Sequence, residues 1–187
     1  MERYADLLSS QGVERGLIGP RETERLWERH IINSALMLPS VPLNATVADV
    51  GSGAGLPGLV WAIARPDLQV TLIEPLLRRS TFLQEVADSL SLSNVTVLRS
   101  RAEDVDETFD VVTARAVAAL PKLSNWCMPL VKQGGRFLAM KGQSAADEVA
   151  KSRSTLARLG AGDVAIVQYA FPGDASMDVT MVEINKK

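Results

Sequence analysis

The residues with the strongest chemical signature lie in one short run, Asp49-Val50-Gly51-Ser52-Gly53-Ala54-Gly55-Leu56-Pro57-Gly58. Glycine tolerates positive φ and carries no Cβ, so it lets a backbone come very close to another group. A tight strand-to-helix turn needs one glycine. Three, alternating with small residues, imply a ligand. Val47-Ala48-Asp49-Val50 reads as the end of a buried strand. Leu59-Val60-Trp61-Ala62-Ile63 reads as a helix that is apolar nearly all round, and therefore buried. Pro57 suits the first turn of that helix, where its missing N–H would be unpaired anyway.

The pattern narrows the ligand. A dinucleotide fingerprint, G-x-G-x-x-G, would need a third glycine where Leu56 stands, and no lysine follows to make a phosphate loop. The run is instead acidic-x-G-x-G-x-G, headed by Asp49. A carboxylate there repels a pyrophosphate and suits a cationic ligand. S-adenosylmethionine carries an ammonium and a sulfonium. The second strand candidate, Gln69-Val70-Thr71-Leu72-Ile73, ends at Glu74. An acidic residue at that tip is placed to accept from ribose hydroxyls. Asp49, the glycines and Glu74 together point to an S-adenosylmethionine-dependent methyltransferase. A nicotinamide-dependent oxidoreductase is the weaker alternative, and a non-enzymatic RNA-binding or ribosome-assembly module with the same fold is another.

Composition bounds these readings. The chain has 187 residues and is 47% apolar, enough for one full core. Net charge is −2, so any nucleic-acid contact must come from a local basic face. One cysteine and one histidine exclude an internal disulfide and make a structural zinc site unreasonable, so no metal is expected. The N-terminus lacks a signal peptide's order, and no apolar run could span a membrane. A cytoplasmic monomer without membrane contact is expected.

The elements that position these residues follow from periodicity. Residues 1–42 read as a helical N-terminal extension, and 43–187 as a Rossmann-like core, in a single methyltransferase domain. In the extension a helix is expected from about Glu22 to Leu38, with Trp27, Ile31, Ala35 and Leu38 as its apolar stripe. Strands are expected at 46–50, 69–73, 94–98, 109–113 and 135–140, and helices at 78–90, 120–130 and 144–159. Gly134-Gly135 would end the second of these helices. Such alternation implies a doubly wound, mostly parallel sheet. Strand patterns at 163–169 and 177–184, joined around Phe171-Pro172-Gly173-Asp174, make a C-terminal antiparallel hairpin and bring the sheet to seven strands.

Several of these pieces together resemble one family. They are the glycine run with Leu56-Pro57-Gly58, then Leu72-Ile73-Glu74, Arg101-Ala102-Glu103, Ala114-Arg115-Ala116 and Lys141-Gly142. Upstream, Arg29-His30 with Asn33-Ser34 adds to the match. The chain is similar to the small-subunit ribosomal RNA methyltransferase G family, also called glucose-inhibited division protein B. The resemblance covers nearly everything from Glu22 onward. Its usual Trp-Asn and Asn-Leu-Thr stretch is replaced here by Gly12–Pro20.

The resemblance implies methylation of N7 of one guanine in 16S rRNA of the 30S subunit. It places cofactor contacts on Gly51 and Leu56, on Ala102 and Glu103, and on Arg115. With Gly53, Gly55 and Glu74 these make the expected cofactor site. Arg29, His30, Arg115 and Lys141 are the expected substrate contacts. A plainer role for Arg115 would be an ion pair with Glu103 or Asp110.

No catalytic residue is assigned. Guanine N7 is a lone pair with no proton to remove. After the fourth strand, Thr113-Ala114-Arg115-Ala116 lacks the Asn/Asp-Pro-Pro-aromatic motif of amino-group methyltransferases. Cys127 lacks the flanking residues of a pyrimidine C5 methyltransferase, and its spacing puts it on the apolar face of its helix.

Overall fold

A computed structural model describes residues 1–187. The N-terminal segment begins with α1 (Glu2–Leu7) and continues through a π-helical stretch, Leu8–Gly12. A 3-10 turn at Pro20–Arg25 leads into a second π-helical stretch, Trp27–Ile32, and a short α2 (Asn33–Ala35). The core then alternates: β1 (Thr46–Val50), α3 (Gly58–Ala64), β2 (Gln69–Ile73), α4 (Leu77–Ser89), β3 (Val95–Leu98) and β4 (Phe109–Arg115). It continues through α5 (Leu120–Cys127), β5 (Val131–Lys141), α6 (Ala145–Arg158), β6 (Ala161–Tyr169) and β7 (Val179–Lys186). No helix is long and apolar enough to cross a membrane.

The seven strands form one sheet in the order β3-β2-β1-β4-β5-β7-β6. The first five are parallel, and β7 runs antiparallel to both of its neighbours. Strand parity divides the core into two layers, because successive side chains leave opposite faces. Val47, Val111, Leu138 and Met181 face a layer with Tyr4, Ile31, Trp61 and Phe82. Ala48, Val112, Ala139 and Val182 face the other, with Leu120, Leu123, Cys127 and Leu156. The N-terminal segment therefore shares its face of the sheet with α3 and α4. Trp61 pins it there, its indole N–H donating to the carbonyl oxygen of Ser34 at 2.7 Å.

Two local expectations need correction. Trp27 is 44% exposed, whereas Leu26, Ile31, Ser34 and Met37 are buried. The stripe was read with the α-helical period, but this stretch is π-helical. Its wider turn brings Leu26 and Ile31, five positions apart, to one side. Gly134-Gly135 does not end a helix. A 3-10 turn at Met128–Leu130 does, and the glycines lie inside β5. There the pairing with β4 slips between Phe109 and Val111, and a Cβ on Gly135 would fall 2.8 Å from the carbonyl oxygen of Asp110. The pair marks a bulge.

The chain runs from β1 outward to β3, then returns to place β4 on the other side of β1. That reversal opens a crevice at the carboxyl ends of β1 and β4, where open α/β sheets bind ligands.

Candidate cofactor and substrate site

The crevice holds a cavity of 620 Å³. Its floor is the turn after β1. Gly51 donates from its N–H to the carbonyl oxygen of Ile73 at 2.8 Å, which tethers the turn to β2. Gly53 has φ +58°, and a Cβ there would meet nothing closer than the Gly51 carbonyl oxygen at 3.8 Å. It would project into open space beside the cavity wall, leaving a cradle for a ligand. Gly55 is a glycine for a different reason. A Cβ on it would fall 2.3 Å from Leu59 Cδ1 and 3.0 Å from the Tyr4 hydroxyl. Gly55 is thus a packing glycine, and it does not line the cavity.

Two carboxylates hold the turn. Asp49 is fully buried, and its Oδ2 accepts from the Gly58 N–H at 2.9 Å. Gly58 permits this, since its own Cβ would stand 2.7 Å from that oxygen. Oδ1 of Asp49 has no partner. Burial pushes its pKa up to about 6, against the bond from Gly58. Asp49 therefore organises the turn from beneath and does not reach the cavity. Glu74 does line it. Its Oε2 accepts from the Gly53 N–H and its Oε1 from the Leu76 N–H, each at 3.0 Å. An ionised carboxylate has about four lone-pair sites, so Glu74 keeps capacity for hydroxyl groups.

The remaining walls come from β3, β4 and the N-terminal segment. Ala102 and Glu103 follow β3 in a 3-10 turn and line the cavity. Leu56, Arg115 and His30 line it as well. Arg115 ends β4 and reaches across to the N-terminal segment. Its Nη2 lies 2.6 Å from His30 Nδ1 and donates to the Arg29 carbonyl oxygen at 3.0 Å. Its Nη1 reaches the His30 carbonyl oxygen at 3.3 Å and Ser34 Oγ at 3.4 Å. It pairs with neither Glu103 nor Asp110. The latter binds Lys132 at 2.9 Å.

Two expected substrate residues stand apart. The Arg29 side chain pairs with Glu22 at 3.4 Å, outside the cavity. Lys141 is tied up internally, 2.8 Å from Glu148 and 2.8 Å from the Ala118 carbonyl oxygen. It holds the segment after β4 in place. Cys127 is buried in the core, and burial pushes its thiol pKa well up. Arg79, a basic residue expected near the mouth of the site, lines the cavity, as do Leu17, Ile18, Val117 and Trp126, which carry no chemical signature in the sequence. No group of acidic, histidine and cysteine residues could hold a metal ion.

A sequence model of the rRNA small subunit methyltransferase G family matches residues 1–172. The chain belongs to that family. A methyltransferase G of Nocardioides sp. is 60% identical over 161 residues, covering 85% of this chain and 64% of the relative. One of Salinispora arenicola is 52% identical over 193 residues, covering 98% of this chain and 79% of that one. The chain thus spans less than two thirds of the Nocardioides relative's length. Among solved structures, a Pyrococcus furiosus methyltransferase superposes with a TM-score of 0.66 at 14% identity, covering 83% of this chain and 82% of that one. The N-methyltransferase NodS from Bradyrhizobium japonicum gives 0.61 at 15%, over 95% and 98%. At such identities these neighbours speak for the fold: this chain has the Rossmann-like α/β architecture of methyltransferases.

Proposed function

We propose that this chain is an S-adenosylmethionine-dependent methyltransferase acting on N7 of a guanine in 16S rRNA. Family membership supports the chemistry and the substrate class. The observation that carries the cofactor is the pairing of an open glycine cradle at Gly53 with the Glu74 carboxylate on the same cavity wall. That donor and acceptor set fits a nucleoside joined to an amino acid. Gly51, Gly53, Leu56, Glu74, Ala102, Glu103 and Arg115 would hold it, with Gly55 and Asp49 supporting the turn.

When bound, the cofactor supplies an electrophilic methyl on a sulfonium. Transfer to the N7 lone pair would break the methyl–sulfur bond, leave a neutral thioether and make the guanine cationic, with no proton to move. The chain therefore needs no general base, and positioning is the main task. His30 and Arg115 form the wall nearest the N-terminal segment, where an incoming base would enter. Glu74 and Glu103 add negative potential to a cavity in which guanine becomes cationic. The same proposal has the chain acting in the cytoplasm, on the 30S particle, as a monomer.

Tritiated methyl transfer to naked 16S rRNA and to intact 30S particles tests the reading. The product carries a fixed charge on its imidazole ring, so borohydride and aniline should cleave the RNA at one place. No incorporation into either substrate would favour a non-enzymatic binding role.

A further inference from the structure

Glu22, His30 and Arg115 form a chain whose two ends dictate where the proton of its middle member sits. A guanidinium has only donors, so His30 Nδ1, 2.6 Å from Arg115 Nη2, must accept. Glu22 Oε2 lies 3.0 Å from Nε2. The bond from His30 holds the Glu22 pKa below its ordinary value, so at neutral pH this carboxylate only accepts. Nε2 therefore carries the proton. Both ends select the same neutral tautomer.

The surroundings resist a charged ring. Burial lowers the His30 pKa, Arg115 and Arg29 lower it further, and Glu22 raises it. Arg25 acts on Glu22 from farther out. On the side away from His30, Arg115 faces Asp49 and Tyr4. Protonating His30 would replace the accepting lone pair with a second cation against the guanidinium.

What the ring holds is Arg115. All four terminal N–H groups of this arginine face protein acceptors, three of them backbone or Ser34 atoms and one the imidazole. Of the five donors of a guanidinium, only Nε–H is left for another partner. Arg115 and His30 both line the cavity. We propose that His30 is a positioning residue, which in its neutral Nε2–H form fixes the Arg115 guanidinium in the cavity wall, with Glu22 selecting that tautomer. Only the kinetic consequence rests on the methyltransferase reading. The tautomer is a property of the free chain.

His30 is the only histidine, so ¹⁵N-histidine labelling gives one ring that needs no assignment. At neutral pH the spectrum should show an unprotonated Nδ1 and a protonated Nε2, and because either partner alone selects this tautomer, only the Glu22→Ala/Arg115→Ala double variant should move it toward a mixture of tautomers. A protonated Nδ1, or a charged ring at neutral pH, overturns the proposal. In methyl transfer, His30→Leu should lower kcat roughly ten- to hundredfold, the scale of a misplaced group. His30→Asn, which restores an acceptor near Nδ1, should recover much of the loss. Wild-type methyl transfer should fall at acid pH as His30 gains a second proton, and this acid limb should disappear in His30→Asn and persist in Asp49→Asn. Equal losses in the two His30 variants, or an unchanged acid limb in His30→Asn, also overturn it. If the wild type transfers no methyl group at all, the function reading fails and the ring spectrum alone decides.

Discussion

The phenol of Tyr4 donates a 2.9 Å hydrogen bond to the carbonyl oxygen of Ala54, so the first helix of the chain closes on the glycine turn from behind. The ring is fully buried, and the hydroxyl also fills the space that a side chain on Gly55 would need. Tyr4→Phe keeps the ring and strands the buried carbonyl. It should cost about 1–3 kcal/mol of stability, measured by denaturant unfolding. Cofactor affinity should fall in the same variant, because the turn loses its rear support.

The two reasons for glycine, at Gly53 and at Gly55, separate experimentally. Gly53→Val projects into the cradle and should abolish S-adenosylmethionine binding, and at φ +58° its β-branched side chain should also cost some stability without meeting a clash. Gly55→Ala collides with Leu59 and should lower the unfolding midpoint before it affects binding. Calorimetry and thermal unfolding on both variants check this. Unchanged affinity in folded Gly53→Val would remove the cofactor from this turn.

Glu74→Ala should weaken cofactor binding by roughly 1–3 kcal/mol, through lost charge-assisted hydrogen bonds. Because Glu74 also braces Gly53 and Leu76, affinity alone is ambiguous. A 2′,3′-dideoxy analogue resolves it. The analogue should bind less well than the cofactor to wild type, and the difference should vanish in Glu74→Ala.

Asp49 makes stability depend on pH in the direction opposite to most carboxylates. Its folded pKa of about 6 lies above its ordinary value, so the folded state binds the extra proton. Stability should be fullest below the unfolded pKa, fall as pH rises from about 4 to 6, and level off above. At 1.36 kcal/mol per unit the span is about 3 kcal/mol. Asp49→Asn should flatten this dependence and stabilise the protein at pH 8. Urea unfolding across pH gives the curve. Because Glu22 and Glu148 have lowered pKa values and add stability as pH rises, the test is the wild-type minus Asp49→Asn difference, and a difference that rises over that window would contradict the prediction.

Cys127→Ala should keep methyl transfer within about tenfold, a barrier change of about 1.4 kcal/mol or less. The thiol is buried between the sheet and α5 and is held protonated there. A folded, cofactor-competent Cys127→Ala variant without activity would return the argument to a cysteine-dependent pyrimidine mechanism. The sequence of the modified nucleotide distinguishes the two outcomes.

Local patterns were readable, and long-range contacts were not. Thr46–Val50 and Gln69–Ile73 match their expected limits to the residue, because apolar runs with turn residues on either side leave little choice. The glycine run and Glu74 announce themselves through residue type and spacing alone. Tyr4, Ile18 and Trp126 do not. Each comes to the turn or cavity from a segment with an ordinary apolar pattern, and only the tertiary fold shows what it faces. The Trp27 misreading came from period, since a π-helical stretch moves the buried stripe with no change in composition. The internal partners of Lys141 have no trace in the sequence. Glu148, which neutralises it, lies a turn into α6 with no sequence signal linking the two. Gly12–Pro20 replaces the family's usual stretch, and within it Arg15 pairs with Glu85 on α4 at 2.6 Å.

The position of β7 sets the timetable of assembly during synthesis. This strand is later in sequence than either neighbour, yet it lies between β5 and β6. The nascent chain can close β1 through β5 as each emerges, but β6 has no place in the sheet until β7 has left the ribosomal tunnel. Until then β5 presents a bare backbone edge, and the side of the sheet that will receive Val182 and Ile184 is open. On the proposed reading, a protein that acts on ribosomal RNA would thus carry a half-finished sheet beside a ribosome until β7 emerges.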